Sequence, residues 1–188
     1  MRALLLGMVV LAGCGLPAPA RYFAPDVPAA QDARGPVRVR LGIVRSPIHL
    51  RESITWRRSE VEYGFYEQRR WTELPSTYVE RALARELYGS EDAPVVVGKT
   101  VPVLTAEVRA FEEALAPAHE ARVAIALEVV DGGCVRLRRT FAASRPLDGT
   151  DPLALAHGIG EALDDVVHTS GLAVRSALAA RGCRAGRP

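Results

Sequence analysis

Almost nothing separates the two charge signs in this sequence: 24 Lys and Arg stand against 22 Asp and Glu in 188 residues, a formal net charge of +2. That balance excludes the strong electrostatic footprint of a general nucleic-acid binder. Lysine is nearly absent, with Lys99 alone beside 23 arginines; we read this as the codon habit of a GC-rich genome, not as chemistry. Long apolar runs are missing as well. The longest, Ala3 to Ala12, falls well short of the roughly 20 residues that span a bilayer as a helix. The length suits one domain, and hydrophobic residues at 48% are enough to form a core.

Catalytic signatures are equally scarce. Of the four histidines, His49, His119, His157 and His168, none stands in metalloprotease spacing. His119-Glu120 lacks a second His four places on. His157 and His168 are three helical turns apart, too far to share a metal. No Gly-x-Ser-x-Gly elbow occurs, and His157-Gly-Ile-Gly160 has neither a preceding strand nor a following Lys, so it is not a phosphate loop. Asp164 and Asp165 adjoin, but adjacent helical residues point apart. Arg57-Arg58 and Arg69-Arg70 lie beside aromatics; stems covering apolar surface explain them better than a phosphate or headgroup site. No catalytic residue, cofactor or metal site is expected, and an envelope hydrolase is disfavoured.

What is present begins at the N-terminus. Met1-Arg2 and the apolar run to Ala12 have the form of a signal peptide, and Leu11-Ala12-Gly13-Cys14 follows. Small residues before the cut fit a narrow protease cleft, and a Cys just after it supplies a thiol for lipid transfer. All four positions look like a lipobox, so Cys14 is the expected lipid-modified residue and the protein an expected periplasmic lipoprotein. Several acyl chains on one Cys would make a stable anchor, at about 0.8 kcal/mol per buried methylene. Residue 15 is Gly, not the Asp that retains such proteins at the inner membrane of enteric bacteria. The expected address is therefore the periplasmic side of the outer membrane. The layout expected is a signal peptide over 1–13, lipidated Cys and Pro/Ala-rich tether over 14–36, one domain over 37–183 and a tail over 184–188. Whether Tyr22 and Phe23 dock on the domain or merely interrupt the tether is open.

Within the domain, Val37, Val39, Leu41 and Ile43 alternate with polar residues as in a half-buried strand. Residues 54–58 and 61–67 read as two more strands, with Val61, Tyr63 and Phe65 on one face. A helix follows, with Thr77 and Glu80 as a capping box, a Val79-Leu83-Leu87 stripe and Gly89 at its end. Residues 101–111 make a strand with a phase shift near Val103-Leu104. Residues 123–129 make the next, and Asp131-Gly132-Gly133 turns into a strand through Val135, Leu137 and Phe141. Asp151-Pro152 opens a long helix, in which Gly171 invites a break. The expected fold is α+β, one domain in the order β-β-β-α-β-β-β-α. Its sheet is mostly antiparallel, of about six strands, with two main helices packed on it. Cys134 and Cys183 remain after Cys14, an even pair that an oxidising compartment permits to bridge; free thiols are the alternative.

The stretch Trp56-Arg57-Arg58-Ser59, Val61-Glu62-Tyr63, then Arg70-Trp71-Thr72-Glu73-Leu74-Pro75 before an amphipathic helix resembles the ABC-type transport auxiliary lipoproteins, the group that includes paraquat-inducible protein C. Leu74 before Pro75, Thr72 where Ala is usual, and Gly64 after Tyr63 depart from the pattern. The resemblance implies a non-enzymatic auxiliary component. Such lipoproteins accompany an ABC permease and ATPase and an MCE-domain protein, and help move lipids or other hydrophobic molecules across the envelope. The motif residues Tyr63, Arg70, Trp71 and Pro75 read as structural, with Trp71 pinning helix to sheet. A homo-oligomer is left open. A stand-alone binder of a hydrophobic ligand is the rival reading, and an apolar groove between the last helix and the sheet would favour it.

Overall fold

Strands form where apolar side chains recur every second residue, and helices where they recur every third or fourth. The computed structural model of the protein describes residues 19–27, 35–92, 94, 98 and 101–180. It contains β1 (Arg21–Phe23), β2 (Arg40–Arg45), β3 (Ser53–Arg57), β4 (Tyr63–Trp71), α1 (Pro75–Tyr88), β5 (Val103–Ala114), β6 (Glu120–Asp131), β7 (Cys134–Pro146) and α2 (Pro152–Ala179). The fold is α+β, a seven-stranded mixed sheet with both helices packed on it. Cys14, Cys183, the signal segment and the tail lie outside the described residues.

The long antiparallel ladders β5–β6 and β6–β7 form the body of the sheet. The tight link between β6 and β7 is the two-residue turn Gly132-Gly133, both at positive φ, which the right-handed strand twist favours and glycine tolerates. The remaining pairs bring what period-two reading does not reveal. β2 and β3 both run parallel to β5, side by side along one edge: β2 against residues 103–107 and β3 against 112–114. A long connection through β3, β4 and α1 separates β2 from β5, which makes parallel pairing available. The seventh strand is β1, parallel to β4 at the sheet's end. Part of the segment expected to be tether is thus a strand, and the ordered fold begins before Val37. Phe23 pairs with Trp71 and is buried, whereas Tyr22 faces solvent.

Four local expectations need correction. α1 begins at Pro75, with Leu74 as its N-cap and no side-chain cap, so Thr77 and Glu80 form no capping box. Proline's preset φ starts the helix earlier than the threonine would. The β5 irregularity falls between Val108 and Ala110, not near Val103. It shifts the side-chain parity, so Leu104, Ala106 and Val108 share the core face with Phe111. α2 runs unbroken through Gly171, because that glycine is an approach point: a Cβ there would lie 2.5 Å from Glu86 of α1. Finally, the strand expected over 61–67 runs from Tyr63 to Trp71, which leaves Val61 outside it, and Val61, Tyr63 and Phe65 face solvent, at 92%, 46% and 47% exposure. The helices cover the other face of the sheet, so this apolar alternation is left without a layer.

Core packing is dense along α2. Leu155, Ile159, Leu163, Val166 and Val174 are buried against Val123, Ile125, Leu127 and Phe141 of the sheet. The Val79, Leu83 and Leu87 stripe of α1 is buried beside them. Asp151 caps α2, accepting from the Leu153 N–H at 3.0 Å. Arg145 of β7 reaches both Glu161 and Asp165 on α2.

Candidate functional site

The end of β4 leads into the start of α1 across residues 71–75. Because β4 alternates, Trp71 points into the core and Arg70 away from it. Trp71 is 1% exposed and meets Phe111 edge-on, with ring centroids 5.4 Å apart; Phe111 in turn stacks on Tyr78. The Trp71 backbone N–H donates to the Glu52 carbonyl, and the Thr72 N–H to the Phe23 carbonyl, so three strands converge on this corner. Pro75 is buried at the first turn of α1. Arg70, on the opposite face, approaches Ser53 Oγ through Nη1 at 3.4 Å. It lines an open cavity of 790 Å³ together with Ser46, Pro47, Ile48, Arg51, Glu52, Leu74 and Ser76.

Arg70, Trp71 and Pro75 are therefore brought together, each in a different role. Tyr63 is not part of this corner. It lies at the other end of β4, about 23 Å away at roughly 3.3 Å per residue. There it packs against His49 and Phe65 under the Arg57 guanidinium. Cys134, at the start of β7, is disulfide-bonded. Its bonding partner lies outside the described residues.

Two buried acids escaped sequence reasoning, because the strand was expected to end at Phe111. Glu112 and Glu113 continue β5 and are nearly fully buried on opposite faces. Glu112 accepts from Arg57 Nε at 2.7 Å, and that bond is the main cause raising the arginine's pKa above its ordinary value. Glu113 accepts from the Tyr66 hydroxyl at 2.7 Å and contacts His119 Nε2 at 2.6 Å. Burial first, and then the bond to Glu113, push the Tyr66 phenol up to about 12. The Phe-Glu-Glu-Ala run within an apolar strand was the available signal: acids at such positions need partners. Asp164 faces away from Asp165, and burial, with help from that neighbour, raises its pKa. Among the described residues, no three His, Cys, Asp or Glu side chains converge to hold a metal ion. No described helix is long and apolar enough to cross a membrane.

The arrangement offers cationic and apolar contact surface, a cavity rimmed by both, and acids already engaged in structural pairs. A family model described as the ABC-type transport auxiliary lipoprotein component matches residues 23–169. No curated protein matches with significance. Among solved structures, a Xanthomonas campestris protein of the DUF330 family is similar at 21% identity and a TM-score of 0.68, covering 83% of this chain and 98% of that one. An uncharacterized protein is similar at 11% identity and a TM-score of 0.61, covering 86% and 100%. At these identities, the likeness is one of fold.

Proposed function

The chain belongs to the ABC-type transport auxiliary lipoprotein component family, and from that premise we propose that it is the lipid-anchored periplasmic subunit of an ABC/MCE transport system. In this reading, signal peptidase cleavage leaves Cys14 as the acylated first residue, and the domain stands on the periplasmic side of the outer membrane. It receives or docks an MCE-domain protein, whose permease and ATPase partners supply the energy. The cargo is a lipid or another hydrophobic molecule, and the chain catalyses no reaction itself.

The family match over most of the chain carries this reading. A core filled by α2 supports docking over a stand-alone carrier. The space under that helix is occupied by Ile159, Leu163 and Val174. The groove beside it, 560 Å³, is lined by Arg139, Thr140 and Asp165 as well as by apolar residues. The cysteine bridge is proposed to join Cys134 to Cys183. Arg136, two residues from Cys134, donates to the Ala180 carbonyl at 3.2 Å, so the end of α2 lies beside the start of β7.

Two experiments test the reading. Cys14→Ala should release the domain into the soluble periplasmic fraction once membranes are washed with high salt, while the parent chain stays with outer membrane on a density gradient after the same wash. The parent chain should also co-purify with an MCE-domain protein from membranes. Membrane attachment of the variant that survives high salt, or purification of the parent chain without such a partner, would overturn the corresponding half of the proposal.

A further inference from the structure

The β1 end of the sheet combines three features that point to a lipid surface. The first is where the chain emerges. Cys14 and Pro19 are five residues apart, a span of at most about 18 Å when fully extended. A lipid on Cys14 therefore holds the neighbourhood of β1 close to the bilayer. The second is side-chain direction. Tyr22 and Arg70 are register partners in a parallel pair, so they project to the same face of the sheet. That face carries the 790 Å³ cavity. The third is composition. Ile48 at 78%, Tyr22 at 60% and Leu74 at 43% are exposed around it, a mixture of aromatic and aliphatic groups beside arginine that suits a membrane interface.

The cavity has the chemistry of a phosphate site. Arg51 is pinned by Nε to the Ile48 carbonyl at 3.0 Å, and Arg70 by Nη1 to Ser53. No bond to their other guanidinium hydrogens is seen among the described residues. Glu52 is the single acid in the lining. Ser46 Oγ in the wall is buried and has no hydrogen-bond partner among the described residues. α1 also opens onto the cavity through Ser76, with no acidic residue in its first turn and no side-chain cap, which leaves its positive end unneutralised.

We propose that Arg51 and Arg70 bind the phosphate of an anionic phospholipid headgroup, with Tyr22, Ile48 and Leu74 resting at the bilayer interface. This rests on the lipid-anchored reading above, and it adds a second, headgroup-specific contact to the acyl anchor. The acyl chains hold the chain on the membrane, and the headgroup contact fixes which face of the domain meets it. The surface also orients the domain, with the β1 end toward lipid and the β7 edge away from it.

The test uses the mature chain carrying Cys14→Ala, so that acyl chains contribute nothing. Flotation is measured with vesicles of phosphatidylcholine alone and of phosphatidylcholine with phosphatidylglycerol. The expected result is flotation with the anionic vesicles, weakened by added salt. Arg51→Gln with Arg70→Gln should lower that partition about 25-fold, at about fivefold for each arginine near an anionic surface. Arg138→Gln, on the far edge strand, should leave it unchanged, and circular dichroism should show all variants folded. Absence of flotation, or equal flotation of the double variant, overturns the proposal. Inorganic phosphate shifting the Arg51 and Arg70 resonances without any vesicle flotation overturns the lipid source. The mass of the N-terminal peptide from the native chain reports Cys14 acylation separately. A chain found unacylated that still floats in the arginine-dependent way would remove the anchor and leave the headgroup site standing.

Discussion

The same substitution at two glycines of α2 should move stability in different ways. Replacing a mid-helix glycine by alanine ordinarily gains about 1 kcal/mol. At Gly171 the added Cβ meets the Glu86 side chain at 2.5 Å, which has to shift but is not backbone, so the overpacking cost of about 1–2 kcal/mol roughly offsets the helix gain and Gly171→Ala should cost at most about 1 kcal/mol. At Gly160 the added Cβ would lie 2.0 Å from the Asp26 carbonyl oxygen and 2.4 Å from its carbon. Real Cβ contacts under 3.0 Å are essentially never seen, so backbone has to retreat. That backbone is tied down: the Phe23 carbonyl accepts from Thr72 at 2.9 Å, and Phe23 is buried against the core. Overpacking costs about 1–3 kcal/mol, and partial exposure of Phe23 adds a share of the roughly 1.5–3 kcal/mol its burial contributes. After the helix gain is subtracted, Gly160→Ala should lose about 2 kcal/mol, a fall in Tm of about 4–8 °C for a domain of this size. Thermal unfolding of both variants measures the contrast. Trypsin supplies a second readout, since cleavage after Arg21 should accelerate only in Gly160→Ala. A Tm for Gly160→Ala equal to or above that of Gly171→Ala would show that residues 24–27 are not seated on α2, and the reasoning would fall.

Trp71→Ala should destabilise by about 3–5 kcal/mol, as for other buried aromatics; an unchanged denaturation midpoint would make Trp71 a surface contact instead. Tyr66 is raised in the folded state, so the stability it contributes is complete below pH 10 and is lost as pH rises from 10 through about 12. Alkaline unfolding followed by circular dichroism should show this loss, and Tyr66→Phe should remove it. Reduction should lower Tm, because a Cys134–Cys183 bridge closes a loop of about 50 residues and contributes about 4 kcal/mol in the chain-entropy model. Non-reducing peptide mapping should recover the two cysteines in one linked fragment, and two free thiols there would refute the pairing.

Part of this protein was legible residue by residue. Local period decides whether a segment becomes strand or helix, so Val79-Leu83-Leu87 and the alternation from Val123 to Val129 announced α1 and β6 without any tertiary information. Turn chemistry did the same at Gly132-Gly133, where only positive φ closes the hairpin, and Asp151-Pro152 marked the start of α2. The motif around Arg70 and Trp71 carried the family. Tertiary structure decided what depends on partners distant in sequence. Parallel pairing of β2 and β3 with β5, and recruitment of Arg21–Phe23 as an edge strand, rest on backbone hydrogen bonds to residues dozens of positions away, which no local period encodes. Period two alone would set Tyr63, Phe65 and Trp71 on one face, but the register of β3 on β4 shifts between Phe65 and Arg70, so Tyr63 and Phe65 ended in solvent while Trp71 filled the core. Gly171 weakens an isolated helix but permits close approach in a packed one, and neighbours alone determine which effect wins. Glu112 and Glu113 became tolerable inside a strand because the fold set Arg57, Tyr66 and His119 against them.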